Sequence, residues 1–277
     1  MSHEEKVRTF YDSAGQCYQA IMGNTWHHGD PAAEAKGVSV LEACQLLEQE
    51  IIKLSGLKPG SRALDFGSGV GGPTVYMAKI SSAAFVGLSN NELLSQKARS
   101  LATELNVPNV SFLTIGDEDY KTLLPFADAS FDAVTFYESV CHLPDKAAFF
   151  RTAYRILKPG ARLVGIDWLQ RPFGEHKTEE QIMKFMQPVN DLICIPWHGT
   201  LGKYNAMMQE AGFTVTSARD MFDGRECWGS TPKEERPQWL GYDGPEGDRF
   251  RKGKVALDAA RGAGVFTVGM FAATKPG

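Results

Sequence analysis

Short apolar runs alternate along this chain with longer stretches whose apolar residues recur every three or four positions. The runs Arg62–Phe66, Ala84–Leu88, Val110–Ile115, Phe131–Tyr137, Ala161–Asp167, Phe213–Ala218 and Val265–Ala272 have the length and apolar content of buried strands. Between them, Asn91–Leu105 and Asp145–Leu157 carry helical spacing, and Lys158-Pro159-Gly160 predicts a turn ending the second helix. Upstream, Leu41, Leu46, Leu47, Ile51 and Leu54 predict a helix over Ser39–Leu54. This alternation predicts an α/β fold: a seven-stranded, mostly parallel sheet with helices on both faces. Ligands of such sheets bind beyond the carboxyl ends of the strands. Asp65, Ser89, Asp117 and Glu138 all fall at or just after such ends, so one cleft can gather them.

Three segments lie outside the alternation. Residues 1–55 are dense in Tyr11, Tyr18, Trp26, His27 and His28 and predict an N-terminal lid over the cleft. Trp168 to about Thr200 follows the fifth strand, with Phe173, Met183, Phe185, Met186 and Trp197. Met221 to about Gly264 separates the last two strands, as a substrate wall or as an assembly surface. The organisation expected is one domain over 1–277: N-terminal lid helices over 1–55, a binding core over 56–167, and substrate-binding insertions with the last two strands over 168–277.

With 277 residues and 43% hydrophobic content the chain can bury a large core. A net charge of −4, with no basic cluster interleaved with aromatics, predicts no nucleic-acid partner. The polar start Met1-Ser2-His3-Glu4-Glu5-Lys6 and the lack of an apolar run of about 18 residues predict neither a leader nor stable membrane insertion, hence a cytoplasmic location. Five scattered cysteines without a CxxC pair read as reduced thiols, and the usual metal-ligand spacings are missing, so no metal is expected.

The densest chemical signal is Leu64-Asp65-Phe66-Gly67-Ser68-Gly69-Val70-Gly71-Gly72-Pro73. Glycines between a strand and a helix let the backbone approach a nucleotide-like cofactor closely. Asp65 at the strand end would repel a pyrophosphate but suits a cationic sulfonium and an amino group. A nicotinamide dinucleotide fits poorly for that reason, and because Ser89 stands where a ribose-binding acid is usual. Glu138 and His142 lie four apart and share a face if their segment is helical. Ser89 or Asn90 also reads as a cap for the helix beginning near Asn91.

Three blocks, DFGSGVGGP at 65–73, GLSNNE at 87–92 and YESVCHLPDK at 137–146, with RILKPG at 155–160, resemble class I S-adenosylmethionine (SAM)-dependent methyltransferases. More narrowly they resemble the sterol C24-methyltransferase-like group of small-molecule C-methyltransferases. The resemblance covers about residues 60–167 well and the outer segments poorly. It implies a Rossmann-like sheet and SAM as cofactor, held by Asp65, Gly67, Ser68, Gly69, Gly71, Ser89, Asn90, Asp117 and Glu118. Ser89-Asn90-Asn91 departs from the wider class, whose second strand ends in an acid, and points to the sterol-like group.

Glu138 and His142 are then the expected base and cation stabiliser, with Tyr11 of the lid beside the methyl group. Tyr18, Trp26, His28, Tyr137, Trp168 and Trp197 are the expected substrate contacts. Methylation of a π-carbon creates a cation that needs stabilisation and proton loss, which a carboxylate, an imidazole and ring faces can supply. The expected acceptor is a hydrophobic or polycyclic small molecule of specialised metabolism, an indole-type alkaloid ring or an isoprenoid alkene. O- or N-methylation and a non-catalytic SAM-binding role stay open, as does assembly into a homo-oligomer.

Overall fold

The computed structural model describes residues 1–123, 125–173, 177–227 and 247–277. Its strands are β1 Arg62–Phe66, β2 Ala84–Ser89, β3 Val110–Thr114, β4 Phe131–Tyr137, β5 Leu157–Gln170, β6 Thr214–Asp220 and β7 Phe266–Thr274. They form one sheet in the order β3-β2-β1-β4-β5-β7-β6. The first five run parallel, and β7 lies antiparallel between β5 and β6. Chain order reverses at β1 and β4, so the carboxyl ends of these two strands splay their loops apart and open a cleft.

Helices α3 Val40–Ser55, α4 Gly72–Ser81 and α5 Glu92–Glu104 cover one face, burying Leu47, Ile51, Val75, Met77 and Ala98. Helices α6 Lys146–Ile156 and α8 Leu201–Glu210 cover the other, burying Phe149, Phe150, Tyr204 and Met208. The predicted layering is therefore present. Two local expectations move. The cap of α5 is Asn91, whose Oδ1 accepts from the Leu94 amide, rather than Ser89 or Asn90. Lys158-Pro159-Gly160 sits inside the span of β5: pairing with β4 jumps from Phe131↔Leu157 to Ala133↔Arg162, so the triplet bulges out of the ladder.

The N-terminal segment, where helices are expected over 1–55, contains a 20-residue helix, α1 His3–Met22. It starts at a capping box in which the Ser2 side chain and Glu5 satisfy each other's backbone amides. Val7, Phe10, Ala14 and Cys17 make its buried stripe. The short α2 Pro31–Glu34 follows. Further on, α7 Glu179–Ile193 and α9 Gly247–Gly262 pack together, and α9 also reaches α1: Phe250 meets Tyr18 edge-on at 5.6 Å and the Arg249 guanidinium lies 5.2 Å above Phe10. The second insertion thus packs against the N-terminal helix. Residues 228–246 of the second insertion lie outside the described residues. The five cysteines are buried, and no described helix is long and apolar enough to cross a membrane.

Candidate active site

The cleft is lined on one side by Asp65–Val70, Ser89, Asn90 and Ile115–Asp117, and on the other by Tyr11, Tyr18, Trp26, Tyr137, Glu138, His142, Trp168 and Ile193. After β1 the backbone turns through left-handed conformations at Gly67, Gly69 and Gly71, with φ of +79°, +52° and +87°. Gly69 faces open space, the nearest atom to a side chain there being Trp26 at 4.0 Å. The Ser68 Oγ is buried in the same loop without a hydrogen-bond partner. A buried hydroxyl left unsatisfied costs free energy, so it is poised for a ligand atom. Beneath the loop the Asp65 carboxylate accepts from Thr74 Oγ1 at 2.5 Å and Thr135 Oγ1 at 2.9 Å. Burial raises its pKa to about 6 against the pull of these two hydroxyls.

The segment after β4 is not the α-helix that would stack Glu138 over His142. Glu138 adopts φ +48°, an uncommon backbone for a residue with a side chain, and Val140–His142 form a 3-10 turn. Each side chain instead meets a lid residue. Glu138 Oε1 accepts from the His28 amide at 2.8 Å and from His28 Nδ1 at 2.6 Å, and Oε2 accepts from Trp168 Nε1 at 2.5 Å. Burial favours the acid form of Glu138, but the charge and hydrogen bonds of His28 and the charge of His27 outweigh it and hold the carboxyl below its usual range. Burial lowers the pKa of His28 against the pull of the Glu138 charge and hydrogen bond.

His142 Nδ1 faces the Cys194 carbonyl at 3.1 Å, which can only accept, so that nitrogen carries the proton. Nε2 is then an acceptor, and the Tyr11 hydroxyl donates to it at 3.0 Å. Burial pushes the His142 pKa down to about 4, and the ring is neutral at working pH. Tyr11 lies parallel to Trp26, with ring centroids 6.4 Å apart, and Tyr18 sits 5.3 Å from Trp26, so three ring faces border the cleft beside the glycine loop.

A methyltransferase-domain family profile matches residues 64–165. The chain is 30% identical over 213 residues to the 27-O-demethylrifamycin SV methyltransferase of Amycolatopsis mediterranei, covering 76% of this chain and 74% of that protein. The chain belongs to the SAM-dependent methyltransferases. It is also 29% identical over 221 residues to cycloartenol-C-24-methyltransferase of Arabidopsis thaliana, covering 79% of this chain and 63% of that enzyme. It thus spans less than two thirds of that plant enzyme's length. Among solved structures, the [4+2]-cyclase SpnF superposes with a TM-score of 0.78 at 21% identity, covering 99% of this chain and 97% of that one.

The residues present fit SAM. The loop over Gly67–Gly69, the orphaned Ser68 hydroxyl and the anionic site formed by Asp65 suit an adenosyl group joined to a cationic centre. Each Asp65 oxygen accepts from one threonine, and a carboxylate oxygen has a second lone pair, so acceptor capacity is left for a donor or cationic group in the cleft. Ser89 Oγ is turned back onto the Asn91 amide, while Asn90 lines the cleft. Asp117 lines it too, but its carboxylate pairs with Arg8 of α1 at 2.7 Å. Glu118 lies outside the cleft lining, an exposed residue paired with Lys121.

Of the expected substrate contacts, Tyr18, Trp26, Tyr137 and Trp168 border the cleft. His28 stands behind Glu138, reaching the cleft only through it. Trp197 is elsewhere: its Nε1 donates to the Pro144 carbonyl and its ring covers the Lys146 ammonium at 4.1 Å. It therefore packs under α6 instead of facing an acceptor. Sequence reasoning missed the buried pair His27–Glu48, at 2.9 Å, which ties the Trp26–Gly29 loop to α3. Burial acts to lower the His27 pKa, but the Glu48 hydrogen bond and charge raise it above the usual value. It also missed Asn91, whose Nδ2 donates to Asp12 Oδ1 of α1 at 2.8 Å. No local pattern marks either pair, since their partners are 21 and 79 residues away.

Proposed function

We propose that the protein transfers the methyl group of SAM to a nucleophilic π-carbon of a hydrophobic isoprenoid or polycyclic acceptor. The observation that carries this reading is the pairing of a desolvated carboxylate, Glu138, with a separate neutral Tyr11–His142 pair on one wall of the cofactor cleft. SAM supplies an electrophilic methyl, and proximity accounts for much of the acceleration of such a displacement. Glu138, fixed by its donors on His28 and Trp168, stabilises the positive charge that develops on the carbon next to the methylated one. The ring faces of Tyr11, Tyr18 and Trp26 add to that stabilisation. The cation then loses a proton from a neighbouring carbon to the Tyr11 oxygen as the Tyr11 hydroxyl proton passes to His142 Nε2. The electrons of that C–H bond close a new double bond or restore the ring.

A prenyl diphosphate is disfavoured as acceptor. Arg171 at the end of β5 spends its guanidinium on Asp220, the Gly264 carbonyl and the Arg225 carbonyl, leaving no clamp for a diphosphate there. Phenol O-methylation is the second reading, favoured by the same Tyr11–His142 pair, which could take an acidic phenolic proton. The experiment is incubation with SAM labelled at the methyl and a panel of alkenes, indoles and phenols, followed by NMR location of the label. A new C–CH3 supports the first reading, an O–CH3 the second, and SAM binding without any transfer supports a non-catalytic protein.

A further inference from the structure

Gly72 follows the left-handed turns of the glycine loop, but neither the backbone nor the cofactor cleft accounts for its missing side chain. It is the first residue of α4, with φ outside the left-handed region, so any L-residue could stand there. It does not line the cleft, whereas Gly67, Gly69 and Pro73 do. Helix propensity even favours alanine by about 1 kcal/mol. What fills the space is the lid: a Cβ on Gly72 would lie 1.9 Å from the Asn24 carbonyl oxygen and 2.6 Å from its carbon. A backbone carbonyl cannot swing aside as a side chain would. The turn would have to retreat from 1.9 Å to the 3.4 Å of ordinary contact.

We propose that Gly72 is the seat of the lid, a positioning residue that sets the reacting side chains without touching cofactor or substrate. The inference rests on the reading of the N-terminal segment, within residues 1–55, as a lid. The seated turn, Gly23–Asn24–Thr25, joins α1 to the loop bearing Trp26 and His28. Trp26 is fixed to that turn by its Nε1 donating to the Gly23 carbonyl at 2.9 Å, and it overhangs Gly69. His28 then reaches Glu138. From the other end α1 is held by Arg8 on Asp117, Asp12 on Asn91 and Gln19 on Lys97. A raised turn tilts the aromatic wall and slackens the His28–Glu138 contact while leaving the glycine turns as they are.

The test is Gly72→Ala in the full chain, with amide hydrogen exchange followed in the ligand-free protein and S-adenosylhomocysteine binding followed by calorimetry. Amides of residues 23–30 should exchange at least about tenfold faster, while those of β1 and α4 keep their protection. Once an acceptor is known, kcat should fall further than the affinity for S-adenosylhomocysteine, as expected when positioning rather than binding is lost. Unchanged lid exchange overturns the proposal. So does exchange that rises equally in β1, or a variant that does not fold, because a seat for a lid must leave the core intact. Failure of the wild-type chain to bind S-adenosylhomocysteine would instead overturn the methyltransferase reading, leaving the ligand-free exchange comparison valid.

Discussion

On the cofactor side of the cleft, the shaping residues are neighbours in sequence. Gly67, Ser68 and Gly69 are consecutive, and Asp65 takes a hydrogen bond from Thr74 nine positions on. On the lid side, the hydrogen bonds to Glu138 and His142 are long-range: Tyr11 reaches His142 across 131 positions and His28 reaches Glu138 across 110. The first side is set by backbone conformation at the end of one strand. The second is assembled by docking α1 and its following turn onto a finished sheet. Binding and chemistry therefore rest on separate structural supports, and each can be damaged alone.

The sharpest break is Glu138→Gln. The amide replaces an acceptor oxygen with a donor among three donor groups, His28 N–H, His28 Nδ1–H and Trp168 Nε1–H, and removes the negative charge. Turnover should fall by about 10² to 10³, the usual range for losing a preorganised electrostatic stabiliser. Affinity for S-adenosylhomocysteine, measured by calorimetry, should stay within about threefold, under 1 kcal/mol. Equal losses in both would mean that the two sides are one unit. The reverse break is Gly69→Val: it places a β-branched residue at φ +52° and fills the open space under Trp26. Affinity for S-adenosylhomocysteine should drop at least tenfold, about 1.4 kcal/mol or more.

The same contrast explains what the sequence disclosed. The glycine turns, Asp65 and the positions of the strands follow from local patterns, because period and turn chemistry act over a few residues. The capping box at Ser2 and Glu5 and the stripe Val7, Phe10, Ala14 and Cys17 are equally local, and α1 falls where helices are expected over 1–55, although that expectation sets no bounds for it. The partners of Glu138 and His142 were not legible. A four-residue spacing implies a shared face only on a helix, and the positive φ at Glu138 breaks that premise. Trp197 misleads for a related reason: an aromatic in an insertion packs on whatever cation lies nearest, here Lys146.

A smaller effect separates the two sides by pH. Asp65 titrates near 6 in the folded chain, above the 3.8 of an ordinary aspartate. Its contribution to ligand-free stability is fully present below about pH 4 and lost as pH rises through 6, a swing of roughly 3 kcal/mol at most. A cationic cofactor favours the carboxylate, so kcat/KM for SAM should fall as pH drops through about 6. His142, with a pKa near 4, adds no such limb, and kcat at saturating SAM should stay level between about pH 5 and 7. Asp65→Asn should abolish the limb in kcat/KM and flatten the difference in melting temperature between pH 4 and 7. A limb near 6.5 in kcat instead would place a titrating imidazole in the chemistry and contradict the neutral, Tyr11-bound His142.

The smallest effect concerns Asp117 and Glu118, neighbours that face different ways. Asp117 borders the cleft and holds Arg8 of α1 in a half-exposed ion pair, a geometry generally worth up to about 1 kcal/mol. Asp117→Asn should therefore weaken S-adenosylhomocysteine binding severalfold at most and speed exchange in the first turns of α1, because it loosens the lid as well as the cleft. Glu118 is exposed and paired with Lys121 across one turn of a 3-10 segment. Glu118→Ala should leave both affinity and α1 exchange unchanged within about 0.5 kcal/mol, as for an ordinary surface substitution. Should Glu118→Ala weaken binding as much as Asp117→Asn, the loop after β3 must rotate when cofactor enters. The cofactor side would then also be assembled on docking, and its difference from the lid side would be one of degree.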